Sequence, residues 1–278
     1  MSNKPYKGFE PKWLLTPAPA GSYRSIFRWG DPAFFKYPKE SLYKMMKEAF
    51  HMTDEDFRNY TDDIGFDQVS LPDHPSRIAP EHLEALKKIV GKEFVTTGDY
   101  ERLSVAYGCT GYDLLRLRHK QIDSLPDVVV YPDTTEQVEE LVHYAAEHKL
   151  PLYVYGGGSS VTRGVEPIKG GISLDMRKRF NKILSFNEVD QTITVQAGLS
   201  GPALEEALQD APNRFGAKRQ YTCGHFPQSF EYSSVGGWVV TRGAGQNSTY
   251  YGTIADIVLS QKYATPIGRI VTPHYPRE

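Results

Sequence analysis

The sequence predicts an α+β fold: a helical and irregular stretch over residues 1–125, then a strand-and-helix region over 126–278. Three observations predict it. Prolines at 11, 17, 19, 32 and 38 break the early part of the chain, so no long element fits there. From Pro126 onward, β-branched runs alternate with amphipathic helical patterns, as strand–helix–strand units require. The run Tyr153-Val154-Tyr155 then ends abruptly in Gly156-Gly157-Gly158-Ser159-Ser160-Val161, a loop that lets another group touch the main chain.

Taken in order, Arg28-Trp29-Gly30-Asp31-Pro32 reads as a turn. Leu42, Met45, Met46 and Ala49 share one helical face, so 41–50 is expected as a helix with a core-packing stripe. Thr53-Asp54-Glu55-Asp56 suits a second helix start, because acids in a first turn complement the helix dipole. Leu83, Leu86, Ile89 and Val90 predict a helix over 81–90 that Gly91 ends. A further helix is expected around 112–118, its arginines on a solvated face, with His119 and Lys120 in a linker.

Asp127-Val128-Val129-Val130-Tyr131 reads as a buried strand stopped by Pro132. Thr134 and Gln137 form a capping-box pattern, and Val138, Leu141, Val142 and Ala145 mark the buried face of the following helix. Leu152–Tyr155 is then a strand parallel to the first, reached by one crossover helix. Residues 183–186 and 192–196 form a hairpin, and Ser200 starts a helix carrying Leu204, Ala207 and Leu208. Strands over 257–263 and 269–271 close the pattern.

The loop at 156–161 sits where open α/β sheets bind ligands, at the C-terminal edge of a strand. Successive backbone N–H groups in such a turn form a concave anion-binding nest, and the plainer reading is an ordinary tight turn. Gly164, Pro167, Gly170 and Gly171 preclude a helix directly after it, which excludes the common dinucleotide fold. Asp175 closes the next apolar run, but no helix separates it from the glycines, so a ribose-binding role ranks low. No P-loop pattern occurs. The expected cradle therefore works through loop amides.

A second constellation runs from Gly224-His225 to Gly245. Ser233 or Ser234 can cap a short helix that Gly243 or Gly245 ends, with Gly236 and Gly237 in its first turn. That makes a second candidate anion site, and two such sites in one α/β framework point to a ligand spanning both, such as a dinucleotide. Taken singly, His225 reads as a satisfied loop histidine, Arg242 as a surface cation, and Glu231 as a buried anchor or an exposed acid.

The net charge of −2 gives no reason to expect nucleic acid as a partner. No apolar run reaches the roughly 20 residues of a membrane span, and the first residues lack the apolar core of a secretory signal. Cys109 and Cys223 are far apart with no histidine pair at metal spacing, so no metal is expected, and a reducing cytoplasm suits them.

The residues Pro126 to Pro132, Gly156 to Val161, Gly224 to Trp238 and Thr241-Arg242 together resemble the alkylglycerone-phosphate synthase family. That family belongs to the vanillyl-alcohol-oxidase (PCMH-type) FAD-binding superfamily. The resemblance implies a PCMH-type domain of two α+β subdomains over 126–278, binding FAD. Carried over by position, Val154 through Val161 would hold the pyrophosphate. Gln228, Ser229, Glu231, Tyr232, Ser233 and Ser234 would also contact the cofactor. So would Gly236, Gly237, Thr241, Arg242, Gly243 and Ala244, with Gly224 and His225 near the flavin end. The first loop has no histidine, so FAD is expected to be non-covalent.

The implied activity is flavin-dependent acyl-to-alkyl exchange on acyl-dihydroxyacetone phosphate, in ether-lipid synthesis. The alternative is a FAD-dependent dehydrogenase or oxidase of 2-hydroxy acids such as D-lactate, glycolate or 2-hydroxyglutarate. A third reading is binding without turnover. In the family, a further FAD-binding segment, a cap domain and the catalytic tyrosine and histidines come later than Glu278, so no catalytic residue is assigned. The expected partners are a small-molecule or lipid-like substrate, the C-terminal cap portion, and a second copy in a homodimer. Peripheral membrane association is expected only through that cap portion.

Overall fold

Three consecutive valines offer no polar face, so Val128-Val129-Val130 are stable only between two apolar layers, and all three are fully buried. The computed structural model describes residues 18–26, 40–57 and 65–273. In chain order the helices are α1 (Tyr23–Ile26), α2 (Glu40–Phe50), α3 (Pro80–Val90), α4 (Asp99–Ser104), α5 (Gly111–Arg118) and α6 (Thr135–Glu147). They continue with α7 (Gly201–Gln209), α8 (Ala211–Phe215), α9 (Val235–Thr241), α10 (Ser248–Tyr251) and α11 (Ile254–Ile257). The strands are β1 (Val95–Thr96), β2 (Val128–Val130), β3 (Leu152–Tyr155), β4 (Ile172–Asp175), β5 (Ile183–Asn187), β6 (Thr192–Val195), β7 (Lys262–Thr265) and β8 (Gly268–Val271).

The chain divides into two units, Met1–Ser70 with Gly111–Gln121, and Leu71–Thr110 with Ile122–Glu278. The second unit thus takes in residues 71–110, ahead of the boundary expected at 125/126. In the first unit, α2 forms as its apolar spacing dictates, yet Leu42 and Met45 of its stripe are exposed. One arginine of α5 also departs from expectation. Arg116 is buried and meets the equally buried Asp113 at 3.3 Å, because one helical turn brings the two together. Residues 54–57 form a turn rather than a helix start, and the Thr53 amide and hydroxyl both donate to Asp56. The turn expected at 28–32 lies outside the described residues.

In the second unit the sheet order is β1-β2-β4-β3. β2 and β3 run in parallel, as expected, but β4 lies between them: Ile172 pairs with Val128 on one side and Leu152 on the other. β1 adds antiparallel at the edge, Val95 opposite Val130. The two-residue side-chain period then divides the core. Val128, Val130, Ile172 and Leu174 pack with Leu86 of α3 and Leu141 of α6 on one face. Val129, Tyr131, Tyr155 and Val105 pack on the other. Each fully buried leucine contributes about 1.5–3 kcal/mol.

Helix α6 starts at the expected Thr134 cap, but the return bond of Gln137 goes to the residue before the cap. Thr134 Oγ1 accepts from the Gln137 amide at 3.2 Å, and Gln137 Oε1 accepts from the Asp133 amide at 2.8 Å. β5 and β6 form the expected hairpin, and a second core of Leu199, Leu204, Leu208, Trp238 and Ile254 lies between α7, α9 and α11. The last hairpin is shorter than expected. Residues 254–257 are helical, with Thr253 and Asp256 closing a capping box, so the strand begins only at Lys262. Among the described residues no helix is long and apolar enough to cross a membrane.

Candidate functional site

The parallel strands β2, β3 and β4 end at one edge of the sheet, and β3 runs out at Tyr155 opposite Asp175. The Met176 amide takes the Tyr155 carbonyl at 3.0 Å, and beyond it the chain turns through the glycines. Gly158 has φ +75°, and a Cβ there would overlap the Tyr155 hydroxyl. That hydroxyl is itself fixed, donating to the Tyr107 carbonyl at 3.3 Å.

The glycine turn meets the segment before α9. A Cβ on Gly157 would overlap the Tyr232 carbonyl oxygen and Ser233 Cα, and one on Gly156 would overlap Ser234 Oγ. The two glycine-bearing stretches singled out in the sequence therefore fold against each other, main chain on main chain. On another flank, Gly108 and Cys109 close on the loop: the Cys109 amide donates to the Ser160 carbonyl at 2.8 Å and its Sγ to the Gly158 carbonyl at 3.3 Å. Nothing in the sequence pattern marks 107–109 as part of this site, since the contact spans about fifty residues.

The amides of Gly156, Gly157, Gly158, Ser159, Ser160 and Val161 donate to no described residue. Gly156, Gly157, Ser159 and Ser160 are half-buried and Val161 and Val154 are exposed, so a ligand can reach this run. Consecutive donors without a protein acceptor are the chemistry of an anion nest, and a diphosphate has enough oxygens to satisfy them.

The second stretch is built differently from the expectation. Ser234 does cap α9, its Oγ accepting from the Gly237 amide at 3.4 Å. The Gly236 amide, however, donates to Ala197 at 2.8 Å and the Val235 amide to Leu199 at 2.9 Å. These first-turn donors are engaged within the chain. Gly236 instead allows α9 to pack on Ala197, whose Cβ would lie 2.6 Å from a Cβ at 236. The helix ends on Arg242 in the left-handed region (φ 51°), not on a glycine, and the Gly243 amide closes back to Trp238 at 3.1 Å.

Trp238 ties the segment together. Its indole N–H donates to Ser233 Oγ at 2.6 Å, Phe230 stacks on it, and the His225 ring meets it edge-on with centroids 4.9 Å apart. Gly224 and His225 are buried, and among the described residues neither ring nitrogen of His225 has a hydrogen-bond partner, unlike the satisfied histidine the sequence suggested. Burial lowers its pKa and keeps the ring neutral. Stability tied to this group is complete above the unfolded-state value of 6.5 and falls as pH drops through the lower folded-state value, because only the unfolded chain takes up the proton readily. His225→Gln is expected to flatten the pH dependence of chemical denaturation between those two values; an unchanged slope contradicts this.

Tyr232, Ser233 and Ser234 touch the loop, with Ser233 and Ser234 buried. Gln228, Glu231, Thr241, Arg242 and Ala244 are exposed and Ser229 is half-buried; among the described residues none hydrogen-bonds to the loop. Asp175 is spent on Arg177 rather than left for a ribose. The guanidinium grips it through Nε at 2.9 Å and Nη2 at 2.6 Å and lies over the Tyr155 ring at 4.7 Å. Burial works against that cation, but the hydrogen bonds and charge of Asp175 outweigh it and raise the Arg177 pKa. Burial pushes the Cys223 thiol up to about 12, which leaves it protonated and unreactive. No metal-binding cluster occurs among the described residues.

Residues 126–273 match the FAD binding domain family. An alkyldihydroxyacetonephosphate synthase of Trypanosoma brucei brucei is 30% identical over 242 residues, 85% of this chain and 38% of that protein. A solved alkyldihydroxyacetonephosphate synthase structure superposes with TM-score 0.67 at 32% identity, covering 72% of this chain and 39% of the other. A mitochondrial cytochrome-type D-lactate dehydrogenase of Saccharomyces cerevisiae is 27% identical over 70% of this chain and 32% of its own length. The chain thus spans well under half the length of these relatives. With its α+β architecture, its glycine loop packed on Tyr232–Ser234 and a match over more than half its length, the chain belongs to the FAD binding domain family, whose cofactor is FAD.

Proposed function

We propose that this chain is the FAD-binding portion of a flavoenzyme resembling alkyldihydroxyacetonephosphate synthase, acting on acyl-dihydroxyacetone phosphate and a fatty alcohol. The observation that carries this reading is the run of amides at 156–161 that have no acceptor among the described residues, held against Tyr232–Ser234. When bound, FAD supplies the acyl-to-alkyl exchange chemistry. The protein's part is to bind and orient it. The amides from Gly156 to Val161 donate to the diphosphate, and Val154 and Tyr155 bring the loop to the sheet edge. Ser233, Ser234, Gly236 and Gly237 shape the opposing wall. Gln228, Ser229, Glu231, Tyr232, Thr241, Arg242, Gly243 and Ala244 line the remainder, and Gly224 with the buried His225 lies towards the flavin. The loop carries no histidine, so the cofactor is held without a covalent bond.

The remaining portion of the enzyme, a cap that binds the lipid-like substrate, acts with this chain in the cytoplasm, as a homodimer. The likeness to the D-lactate dehydrogenase supports a second reading, oxidation of 2-hydroxy acids. Two assays separate them. Under anaerobic conditions, D-lactate or D-2-hydroxyglutarate is expected to leave the flavin of the reconstituted enzyme oxidised. Labelled fatty alcohol is expected to enter acyl-dihydroxyacetone phosphate once the chain is completed by the portion its relatives carry. Bleaching by a 2-hydroxy acid without alcohol incorporation rejects the synthase reading in favour of the dehydrogenase.

A further inference from the structure

We propose that Tyr107-Gly108-Cys109, which lies outside the 126–273 match, is a positioning element that aims the amides of the glycine loop. The inference rests on the FAD reading and assigns its geometry to residues that reading does not include. Three bonds run from this segment or to it: Cys109 amide to Ser160 carbonyl, Cys109 Sγ to Gly158 carbonyl, and Tyr155 hydroxyl to Tyr107 carbonyl. A trans peptide holds its C=O and the following N–H in one plane, pointing in opposite directions. With the carbonyls of Gly158 and Ser160 turned towards 107–109, the amides of Ser159 and Val161 must point away from it. Those two amides have no described acceptor. The segment therefore does more than support the loop, because by capturing alternate carbonyls it decides where the intervening donors face.

The fit leaves no slack. A Cβ on Gly108 would overlap the Ser160 carbonyl oxygen, which is main chain and cannot swing aside as a side chain would. Gly108→Ala must push that carbonyl away, break the Cys109 amide bond and rotate the peptide that carries the Val161 amide. Cys109→Ala keeps the backbone bond and removes the thiol contact with Gly158, so its effect on the loop is smaller, and Cys109→Ser restores a donor.

The test is an equilibrium titration of the full chain with FAD, read by flavin fluorescence, beside a thermal melt and hydrogen exchange of the Cys109 amide. Gly170→Ala serves as control. Gly170 has φ +69° and abuts Asp127 at the opposite edge of the sheet, so alanine there strains the fold without touching the loop. The expected result is that Gly108→Ala weakens FAD binding at least about tenfold, a change worth about 1.4 kcal/mol. Cys109→Ala is expected to weaken it about two- to threefold, with Cys109→Ser recovering the loss, while Gly170→Ala lowers the melting point and leaves the affinity unchanged. Hydrogen exchange at Cys109 should accelerate in Gly108→Ala alone. The proposal is overturned if Gly108→Ala keeps the parent affinity, or if its affinity loss is matched by Gly170→Ala. If Gly108→Ala does not fold, the Cys109 pair decides, and equal affinities for alanine and serine overturn it. Failure of the parent chain to bind FAD rejects the cofactor reading instead, and the exchange rate at Cys109 then still shows whether the clamp exists.

Discussion

Gly157→Ala is expected to lower FAD affinity by about ten- to a hundredfold. A Cβ at this position has nowhere to go, since it would overlap the carbonyl oxygen of Tyr232 and the Cα of Ser233, both main chain. Two responses are open to the variant. The turns can separate, which loses the shape of the cradle, or they can stay together under overpacking strain of roughly 1–3 kcal/mol. In either case the cofactor must restore the native approach at that cost, and about 1.4 kcal/mol is tenfold in binding. Gly164→Ala, only 3.8 Å from Ser160 Oγ and otherwise open, is the matching control and should bind normally. Equal affinity in the two variants would show that the turns do not need to meet.

Asp175→Ala is expected to produce the largest loss of stability. It strands the Arg177 guanidinium, whose side chain is about three-quarters buried, without its two-pronged partner. Removing one member of a buried pair costs roughly 3–5 kcal/mol, and the partial exposure of Arg177 places this case at the lower end. For a unit of this size the melting midpoint should fall by roughly 6–12 °C. Replacing both residues, as in Asp175→Leu with Arg177→Met, should recover much of the loss, because no charge is then left buried. A double variant no more stable than Asp175→Ala would mean that the cost comes from packing around Tyr155, not from the stranded charge.

Much of this fold could be read from the chain. The β2–α6–β3 unit, the β5–β6 hairpin and α7 announce themselves through period, capping residues and turns, all of them local signals. What escaped is non-local or too short to show a period. β4 enters between β2 and β3, and nothing local in Ile172–Asp175 says which neighbours it takes. β1 has two residues and hence no alternation to detect. The α9 terminus was misread because Arg242 adopts a backbone conformation that glycine usually supplies. At the site, the meeting of Gly157 with Tyr232–Ser233 was legible as two glycine-bearing stretches in one framework. The occupation of the Gly236 amide by Ala197 was not, since Ala197 carries no mark of its role. Nor was the Arg116–Asp113 pair, because a charged helix face looks the same in sequence whether it meets water or a partner.

The most direct measurement is a crystal structure of this chain with FAD bound. Diphosphate oxygens are expected within hydrogen-bonding distance of the amides between Gly156 and Val161, Ser159 and Val161 among them, with Tyr232–Ser234 still packed on Gly157. A diphosphate seated elsewhere, or those amides turned to protein acceptors while the cofactor is bound, would contradict it.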